Sequence, residues 1–381
     1  MKFSKVVCAS AVAAMVAGAM STAAFAEDTY KFGGIGPVTG AAAAYGSAVM
    51  NACQIAVDEI NEAGGINGYQ VEFNAQDDEH DAEKSVNAYN TLKDWGMQAL
   101  IGTVTTAPCL AVAPEAAADN MFLITPSASA VECISYGDNE FRMCFTDPAQ
   151  GTASAQYIGT NMPEITKVAV IYDSSDVYSS GILATFKAEA ENQPFEIVAE
   201  SAFTADSKTD FSAQIQAAKD AEADMVFMPF YYNEASIVLT QAASMDYDPV
   251  WFGVDGMDGI LSVEGFDTSL AEGLMLLTPF SADAEDELTK NFVAKYQELY
   301  GEVPNQFAAD GYDCVYALKA AIEKCGVEPT ASPSDFADAV KVAMTEITLE
   351  GLTGTATWEA DGEVSKTPKA VVIENGAYKG L

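Results

Sequence analysis

The sequence is short of basic residues and of histidine. Its 381 residues include 18 Lys and Arg against 56 Asp and Glu, a formal net charge of −38, and a single histidine, His80. Phosphate backbones and anionic lipid surfaces repel such a chain, which argues against nucleic acid as a partner and against a strongly anionic ligand. A Ser-His-Asp triad is not expected either, because the only candidate histidine is His80, in the acidic run DDEHDAE. Such a run is typical of a helix cap with surface charge.

Long hydrophobic runs are missing except at the N-terminus. There, two lysines precede an apolar stretch of residues 6–20, and Ala24-Phe25-Ala26 supplies small residues at a cleavage position. The stretch is shorter than the roughly 20 apolar residues, with flanks, that a membrane anchor needs. It therefore predicts a signal peptide over residues 1–26 that is cleaved after Ala26, and a mature chain in the periplasm.

Cysteines at metal-binding spacing are also missing, since no CxxC occurs, and we expect no metal site. Six cysteines follow residue 26, an even count that suggests disulfides in an oxidising compartment, with about 15 possible connectivities. Cys133 and Cys144 flank the turn signal YGDN and are the first predicted pair. Cys53 with Cys109 is the second.

Short apolar strands alternate with helical stretches through most of the chain. YKFGGIG, YQVEFNAQD, MQALIGTV and MFLITP predict strands in the first half, and apolar positions of residues 49–63 share one face of a helix that Gly64-Gly65 ends. A second series begins at Lys167 with KVAVIYD, FEIVAESAF, DMVFMPF and PVWFGVD. The alternation predicts an α/β fold with two doubly wound lobes, each built on a parallel sheet.

Small hydroxyl side chains follow two neighbouring strands. Thr105 and Thr106 lie in IGTVTTAP, and Ser127 and Ser129 lie in LITPSASA, each directly before a predicted helix. Parallel sheets bind ligands beyond the carboxyl ends of their strands, and a helix start offers free N–H groups to an anion such as a carboxylate. The alternative is that Thr105 and Ser127 are ordinary helix caps. The residues alone leave both interpretations open.

The second series offers a carboxylate and aromatic rings. Asp255, in VDGMDG, could accept hydrogen bonds from an ammonium group, although Asp-Gly is also a common turn signal. Aromatic residues at Tyr45, Tyr178, Tyr231 and Phe307 could line an apolar pocket, or simply pack in the core. An anion end, a cation end and an aromatic box together describe a site for a free amino acid.

These segments resemble the periplasmic leucine/isoleucine/valine-binding proteins of ABC transporters, which have the type I periplasmic binding fold. The similarity covers essentially the whole chain after residue 26 and includes GPVTGAAAAYG, VDEINEAGGINGYQVEF, FRMCFTDPAQG, YDSSDVYSSG and MPFYYNEAS. It implies a ligand carboxylate bound by Thr105, Thr106, Ser127 and Ser129. It also implies an ammonium group bound by Asp255 with the Ser127–Ser129 loop. Rings around the ligand would be those of Tyr45, Tyr178, Tyr231 and Phe307.

Four positions depart from the pattern of that family. The branched-chain binders often have a glutamate where Asp255 stands, Thr105 and Thr106 are bulkier than the usual Cys-Ser or Ser-Ser, and Tyr232 adds a ring. Recognition of an amino acid is compatible with these changes. Which side chain fits is left open.

The resemblance also implies a domain organisation and partners. Residues 27–146 with 278–356 would form the N-terminal lobe, and residues 147–277 with 357–381 the C-terminal lobe, joined by three crossings. A monomer would close on the ligand like a hinge, and a membrane permease would recognise the closed form.

Two other function classes are weaker. An enzyme is not expected, nor a cofactor, because GIGPVTG lacks the GxGxxG spacing of a dinucleotide loop and Pro37 removes an N–H that a phosphate would use. A soluble ligand sensor for amides or aromatic acids, acting with a receptor, is the second alternative.

Overall fold

The computed structural model describes residues 28–381, which form two α/β lobes, each with its own sheet. The predicted signal peptide and its cleavage after Ala26 lie outside the described residues. Among the helices of residues 28–381, none combines the length and the apolar character that a membrane crossing requires.

Strands and helices alternate along the chain as the sequence predicts. The strands are β1 (Thr29–Gly36), β2 (Gln70–Asp77), β3 (Ala99–Gly102), β4 (Phe122–Thr125), β5 (Glu140–Arg142), β6 (Lys167–Asp173), β7 (Glu196–Phe203), β8 (Met225–Met228), β9 (Val250–Gly253), β10 (Met275–Thr278), β11 (Leu349–Gly351), β12 (Gly354–Ala356), β13 (Lys369–Glu374) and β14 (Ala377–Gly380). The helices are α1 (Ala43–Glu62), α2 (Ala82–Trp95), α3 (Thr106–Asp119), α4 (Asp147–Asn161), α5 (Val177–Ala190), α6 (Ser212–Asp220), α7 (Tyr232–Ser244), α8 (Glu287–Tyr300), α9 (Gln306–Cys325) and α10 (Pro333–Met344).

The first sheet has five parallel strands in the order β2-β1-β3-β4-β5, and we call it and the helices packed on it the five-stranded lobe. Strands β3, β4 and β5 are buried along their whole length and β1 along most of it, because their side chains alternate between two helical layers, whereas the edge strand β2 is mostly half-buried or exposed. Leu100 and Leu123 pack with α2 and α3, whereas Ile101 and Ile124 belong to the core cluster that includes α1, α9 and α10. Because all five strands are parallel, their carboxyl ends lie at the same edge of the sheet.

The second sheet has the order β14-β13-β10-β9-β8-β6-β7, and with helices α4–α7 it is called the seven-stranded lobe. Strands β6–β10 are parallel, but β13 pairs antiparallel with β10, and β14 pairs antiparallel with β13. The sheet is therefore parallel, as predicted, except at this edge. Asn375 and Gly376, both with positive φ (55° and 71°), form the two-residue turn of a hairpin, for which Asn-Gly is the usual signal.

The two predicted disulfides are wrong, because all six cysteines of the described chain are free. The YGDN turn does not make a hairpin: β5 pairs parallel with β4, so Cys133 and Cys144 are not drawn together. Cys53 lies on α1 with its Sγ 3.4 Å from Gly311 O of α9, on the opposite face of the sheet from Cys109 of α3. Cys109 lies beside Cys133 instead, with its Sγ 3.7 Å from Cys133 O.

The connections between the lobes are tied to one another. The chain leaves the five-stranded sheet after β5, and after β10 it leaves the seven-stranded sheet for α8–α10 and a small β11-β12 sheet, then returns with β13. Trp358, in the third connection, donates its Nε1–H to Arg142 O at 2.8 Å, and Lys366 of the same connection forms a buried ion pair with Asp310 at 3.0 Å. These contacts hold the third connection against the end of β5 and against α9.

Candidate ligand-binding site

A small cavity lies in the cleft between the two lobes, at the carboxyl ends of strands from both sheets. It has room for about one water molecule between the surrounding side chains. Eight of the nine predicted site residues line it: Tyr45, Thr105, Thr106, Ser127, Tyr178, Tyr231, Asp255 and Phe307. Ser129 does not; it is buried nearby, and its backbone oxygen accepts hydrogen bonds from Arg142 Nη1 and from Asp147 N.

Thr105 occupies the N-cap position of α3, but its side chain makes no capping hydrogen bond. Its Oγ1 lies 2.9 Å from His80 Nδ1 instead. The interpretation of Thr105 as an ordinary cap is therefore wrong. Since no side chain caps α3, the N–H groups of its first turn and the positive end of the helix dipole are left for another acceptor at this end of the cavity.

Side-chain hydrogen bonds join the two hydroxyl loops. Ser127 Oγ donates to Val104 O at 2.6 Å, and Thr125 Oγ1 donates to Thr103 O at 2.8 Å. Because the proton of Ser127 is used in this way, its hydroxyl can only accept from a ligand. Ser127 is thus suited to an ammonium group rather than to a carboxylate.

Asp255 follows β9 and is the carboxylate of the cavity. Its Oδ1 accepts hydrogen bonds from Tyr178 OH at 2.5 Å and from Gly256 N at 2.7 Å, and its own N–H donates to Gln150 Oε1 at 3.2 Å. Burial raises the pKa of Asp255 to about 6, although the hydrogen bonds from Tyr178 and Gly256 act in the opposite direction. The side chain is therefore mostly ionised at neutral pH, and its Oδ2 is left for a positively charged group.

Aromatic rings from both lobes form the rest of the wall. Tyr178 and Tyr231 of the seven-stranded lobe stack with centroids 4.9 Å apart and planes 9° apart. Tyr45 of α1 and Phe307 of α9 have centroids 4.4 Å apart, and Tyr45 lies 5.7 Å from Tyr231. The sequence assigned most aromatics to one lobe, whereas the structure divides them evenly.

Direct hydrogen bonds hold the lobes closed around the cavity. Tyr45 OH donates to Gly256 O, and Ala44 N donates to Tyr232 OH at 3.2 Å. At the start of α9, Gln306 N donates to Asp258 Oδ2 at 2.8 Å, and Gln306 Nε2 donates to Asp255 O at 3.0 Å. The extra ring at Tyr232 therefore belongs to the contact between the lobes and does not line the cavity.

Sequence reasoning did not select His80, Gln150 or Gln306, whose side chains contact Thr105 or Asp255 beside the cavity. His80 was assigned to a capping run, and Asp81 does cap α2 by accepting from Glu83 N and Lys84 N. The ring of His80, however, packs edge-on to Tyr231 with centroids 5.6 Å apart. His80 follows the carboxyl end of β2, so the rule that selected the hydroxyl loops would have selected it as well.

No group of three or more His, Cys, Asp or Glu side chains within residues 28–381 is arranged to hold a metal ion. The polar groups of the cavity offer donors at one end and acceptors at the other, an arrangement suited to a small dipolar organic molecule.

A sequence profile of the family described as periplasmic binding protein matches residues 29–377. The chain belongs to this family. The resemblance stated from the motifs is thereby confirmed, and the family is one of solute-binding proteins. Two curated relatives of this periplasmic binding protein illustrate the similarity, and both have a similar length. Leu/Ile/Val-binding protein homolog 3 of Brucella melitensis is 30% identical over 361 residues, which cover 93% of this chain and 94% of the relative. The leucine-, isoleucine-, valine-, threonine-, and alanine-binding protein of Pseudomonas aeruginosa is 29% identical, covering 92% and 91%.

Solved structures of similar proteins agree with this family assignment. The branched-chain amino acid transporter substrate-binding protein LivJ from Streptococcus pneumoniae, solved in complex with isoleucine, has a TM-score of 0.83 and 30% identity, covering 93% of this chain and 99% of that one. The leucine-binding protein LivK from Thermotoga maritima has a TM-score of 0.81 and 26% identity, covering 93% and 98%. The predicted two-lobed α/β fold of this periplasmic binding protein is thus confirmed.

Proposed function

We propose that this protein is the extracytoplasmic substrate-binding protein of an ABC transporter, which captures a free neutral amino acid, branched-chain or similar, and delivers it to a membrane permease. The observation that carries the proposal is the polarity of the cavity. The uncapped start of α3 lies in one lobe, and the carboxylate of Asp255 lies in the other. The relatives named above, which bind leucine, isoleucine and valine by name, support the same class of ligand.

The ligand carboxylate is assigned to the five-stranded lobe. Thr105 and Thr106 stand at the start of α3, where free N–H groups and hydroxyls converge on the cavity. Charge-assisted hydrogen bonds from such donors contribute about 1.5–3 kcal/mol each before desolvation is subtracted. An uncharged donor set binds an anion without bringing a buried cation into the cleft.

The ligand ammonium group is assigned to Asp255 and Ser127. Tyr178 and Gly256 both donate to Oδ1 of Asp255, which orients the carboxylate and leaves Oδ2 for the ligand. Ser127 Oγ, whose proton is donated to Val104 O, adds a second acceptor. The family resemblance also implies a contact between Ser129 and the ligand. Because Ser129 is buried and does not line the cavity, it is assigned no such contact.

The ligand side chain is assigned to the aromatic wall of Tyr45, Tyr178, Tyr231 and Phe307. The lobes already hydrogen-bond to each other around this wall and leave room for about one water molecule, so they have to separate to admit an amino acid. Closure buries ligand contacts from both lobes, which is why the closed form is favoured by binding.

The proposal includes the organisation of the whole chain. The N-terminal lobe would consist of residues 27–146 with 278–356, and the C-terminal lobe of residues 147–277 with 357–381. Packing of α9 and α10 against strands of the five-stranded sheet supports the first assignment. A monomer located in the periplasm after removal of residues 1–26, with a permease as partner, fits the family. The relatives that support the proposal are transport proteins, so the sensor alternative gains no support.

Titration calorimetry with a designed panel tests this function. L-Leucine, L-isoleucine and L-valine should bind with micromolar or tighter Kd, about −8 kcal/mol or better. Isoamylamine, which is leucine without its carboxylate, and 4-methylpentanoate, which is leucine without its amine, should each bind far more weakly. Binding of 4-methylpentanoate or benzoate in preference to every amino acid would overturn the proposal.

A further inference from the structure

The only histidine of the chain touches both halves of the cleft. His80 lies just beyond β2 with a left-handed backbone (φ 60°), and its N–H donates to Asp78 Oδ1 at 2.8 Å. Its Nδ1 lies 2.9 Å from Thr105 Oγ1, and its ring packs against Tyr231 of the other lobe. None of these contacts is needed to cap α2, which Asp81 does alone.

The contact with His80 determines whether the hydroxyl of Thr105 can donate a hydrogen bond to a ligand or only accept one. A threonine hydroxyl has one proton, so if Thr105 donates to His80 it can only accept from the ligand and would repel a carboxylate. If Nδ1 of His80 carries the proton and donates, the proton of Thr105 is left for the ligand. The two arrangements differ only in the tautomer of the imidazole.

Burial and charge around the ring keep His80 neutral, which makes the second arrangement available. Burial and the neighbouring ammonium of Lys208 lower the pKa of His80 to about 4, with Asp81 acting weakly in the opposite direction, so the ring is neutral at neutral pH. Lys208 itself is held by Asp173 and Glu234 at 3.1 and 3.5 Å. A neutral imidazole carries one proton, and only the tautomer with that proton on Nδ1 leaves the hydroxyl proton of Thr105 free for a ligand carboxylate.

We propose that His80 is a positioning residue for the ligand: its Nδ1–H donates to Thr105 Oγ1 and thereby directs the hydroxyl proton of Thr105 toward the ligand carboxylate. The inference rests on the proposed function, since it takes the carboxylate of an amino acid as the group that Thr105 meets. It gives His80 a role that acts through Thr105 and involves no direct contact with the ligand.

A matched set of variants separates this role from simple packing. His80→Asn keeps a residue that tolerates left-handed backbone and places an amide N–H donor near the position of Nδ1. His80→Gly keeps the backbone conformation but removes the donor. Thr105→Val keeps the shape of Thr105 and removes its hydroxyl. Thermal unfolding of each variant checks that the fold is retained.

A double-mutant cycle with L-leucine, measured by titration calorimetry, tests the coupling. His80→Gly and Thr105→Val should each weaken Kd by about three- to tenfold, the range expected for one hydrogen bond. The double variant should be no weaker than Thr105→Val alone, and His80→Asn should stay within about twofold of the unmodified protein. Additive losses, or an Asn variant as weak as the Gly variant, would overturn the inference while leaving the proposed function intact.

The tautomer can be measured without any ligand. Because His80 is the only histidine, ¹⁵N-labelled imidazole gives signals that need no assignment. The ring of the unliganded protein at pH 7 should carry its proton on Nδ1. A proton on Nε2 would overturn the inference even if leucine binds. The tautomer can be read whether or not any amino acid of the panel binds, so this test is independent of the test of the proposed function.

Discussion

The five-stranded lobe faces the cavity with groups that carry no net charge, whereas the seven-stranded lobe faces it with Asp255. The start of α3, Thr105 and Thr106 offer donors that keep their protons across the ordinary pH range. Asp255 is a full charge, and burial raises its pKa to about 6. Binding at the first end therefore depends on the geometry of hydrogen-bond donors, whereas binding at the second end depends on the ionisation of Asp255. Mutation should affect the two ends differently, and acid should affect mainly the second.

Removing the charged end should have the largest effect. Asp255→Ala takes away the partner of a buried ammonium group, a loss of several kcal/mol, so Kd for L-leucine should rise at least about 100-fold. Circular dichroism should show the fold retained. Asp220→Ala, at an exposed carboxylate on α6, is the control and should bind normally. An unchanged Kd in Asp255→Ala would remove Asp255 from the site.

Removing one donor from the uncharged end should have a smaller effect. Thr106→Val keeps the shape of the side chain but deletes a hydroxyl, so Kd should rise by about tenfold or more, the value of one charge-assisted hydrogen bond. Thr91→Val, on the exposed face of α2, is a matched control for the substitution. Titration of Thr106→Val that matches the unmodified protein would limit Thr106 to a structural role.

Acid should separate the two ends without a mutation. Ligand ammonium prefers ionised Asp255, so Kd should be flat above about pH 6 and rise by up to about tenfold per unit below it. Asp255→Asn should lose this dependence between pH 5 and 7. A wild-type affinity that is flat over the same range would contradict the assignment of the ammonium group.

The stability of the unliganded protein should rise as pH falls, whereas the affinity for the ligand should fall. The folded-state pKa of Asp255 and of Asp258 is about 6, and that of Asp78 and Glu140 about 7, all raised by burial above their ordinary values. These four groups outweigh His80, whose lowered pKa of about 4 acts in the opposite direction, so the folded state holds more protons than the unfolded state. The free energy of unfolding should therefore increase as pH falls from about 7 toward 5. Denaturant unfolding at several pH values measures it, and a stability that falls over this range would contradict the prediction.

Removing a hydrogen bond between the lobes should have the smallest effect on Kd. Tyr232→Phe removes the hydroxyl that accepts from Ala44 N, so closure is weakened and Kd should rise about two- to tenfold. Tyr247→Phe removes a hydrogen bond to Ala223 O inside the seven-stranded lobe and should leave Kd unchanged. Equal changes in both variants would show that the Tyr232 bond has no special part in closure.

Much of the fold and of the site was predictable because the signals are local. The apolar runs KVAVIYD and FLIT became buried strands, and eight of the nine proposed site residues surround one cavity. The hairpin at Asn375-Gly376 was also readable from its turn residues but was overlooked. The disulfide pairs failed because proximity along the chain to a turn does not show which strand pairs with which.

The sequence by itself determined the alternation of strands and helices and the chemistry of the loops that follow them, since spacing of apolar residues and turn residues act over a few positions. Only the tertiary structure decided which loops meet. The sheet order β2-β1-β3 puts the ends of β2 and β3 on either side of β1, and that places His80 against Thr105, 25 positions apart in the chain. Sheet order depends on packing across the whole lobe, which no local pattern contains.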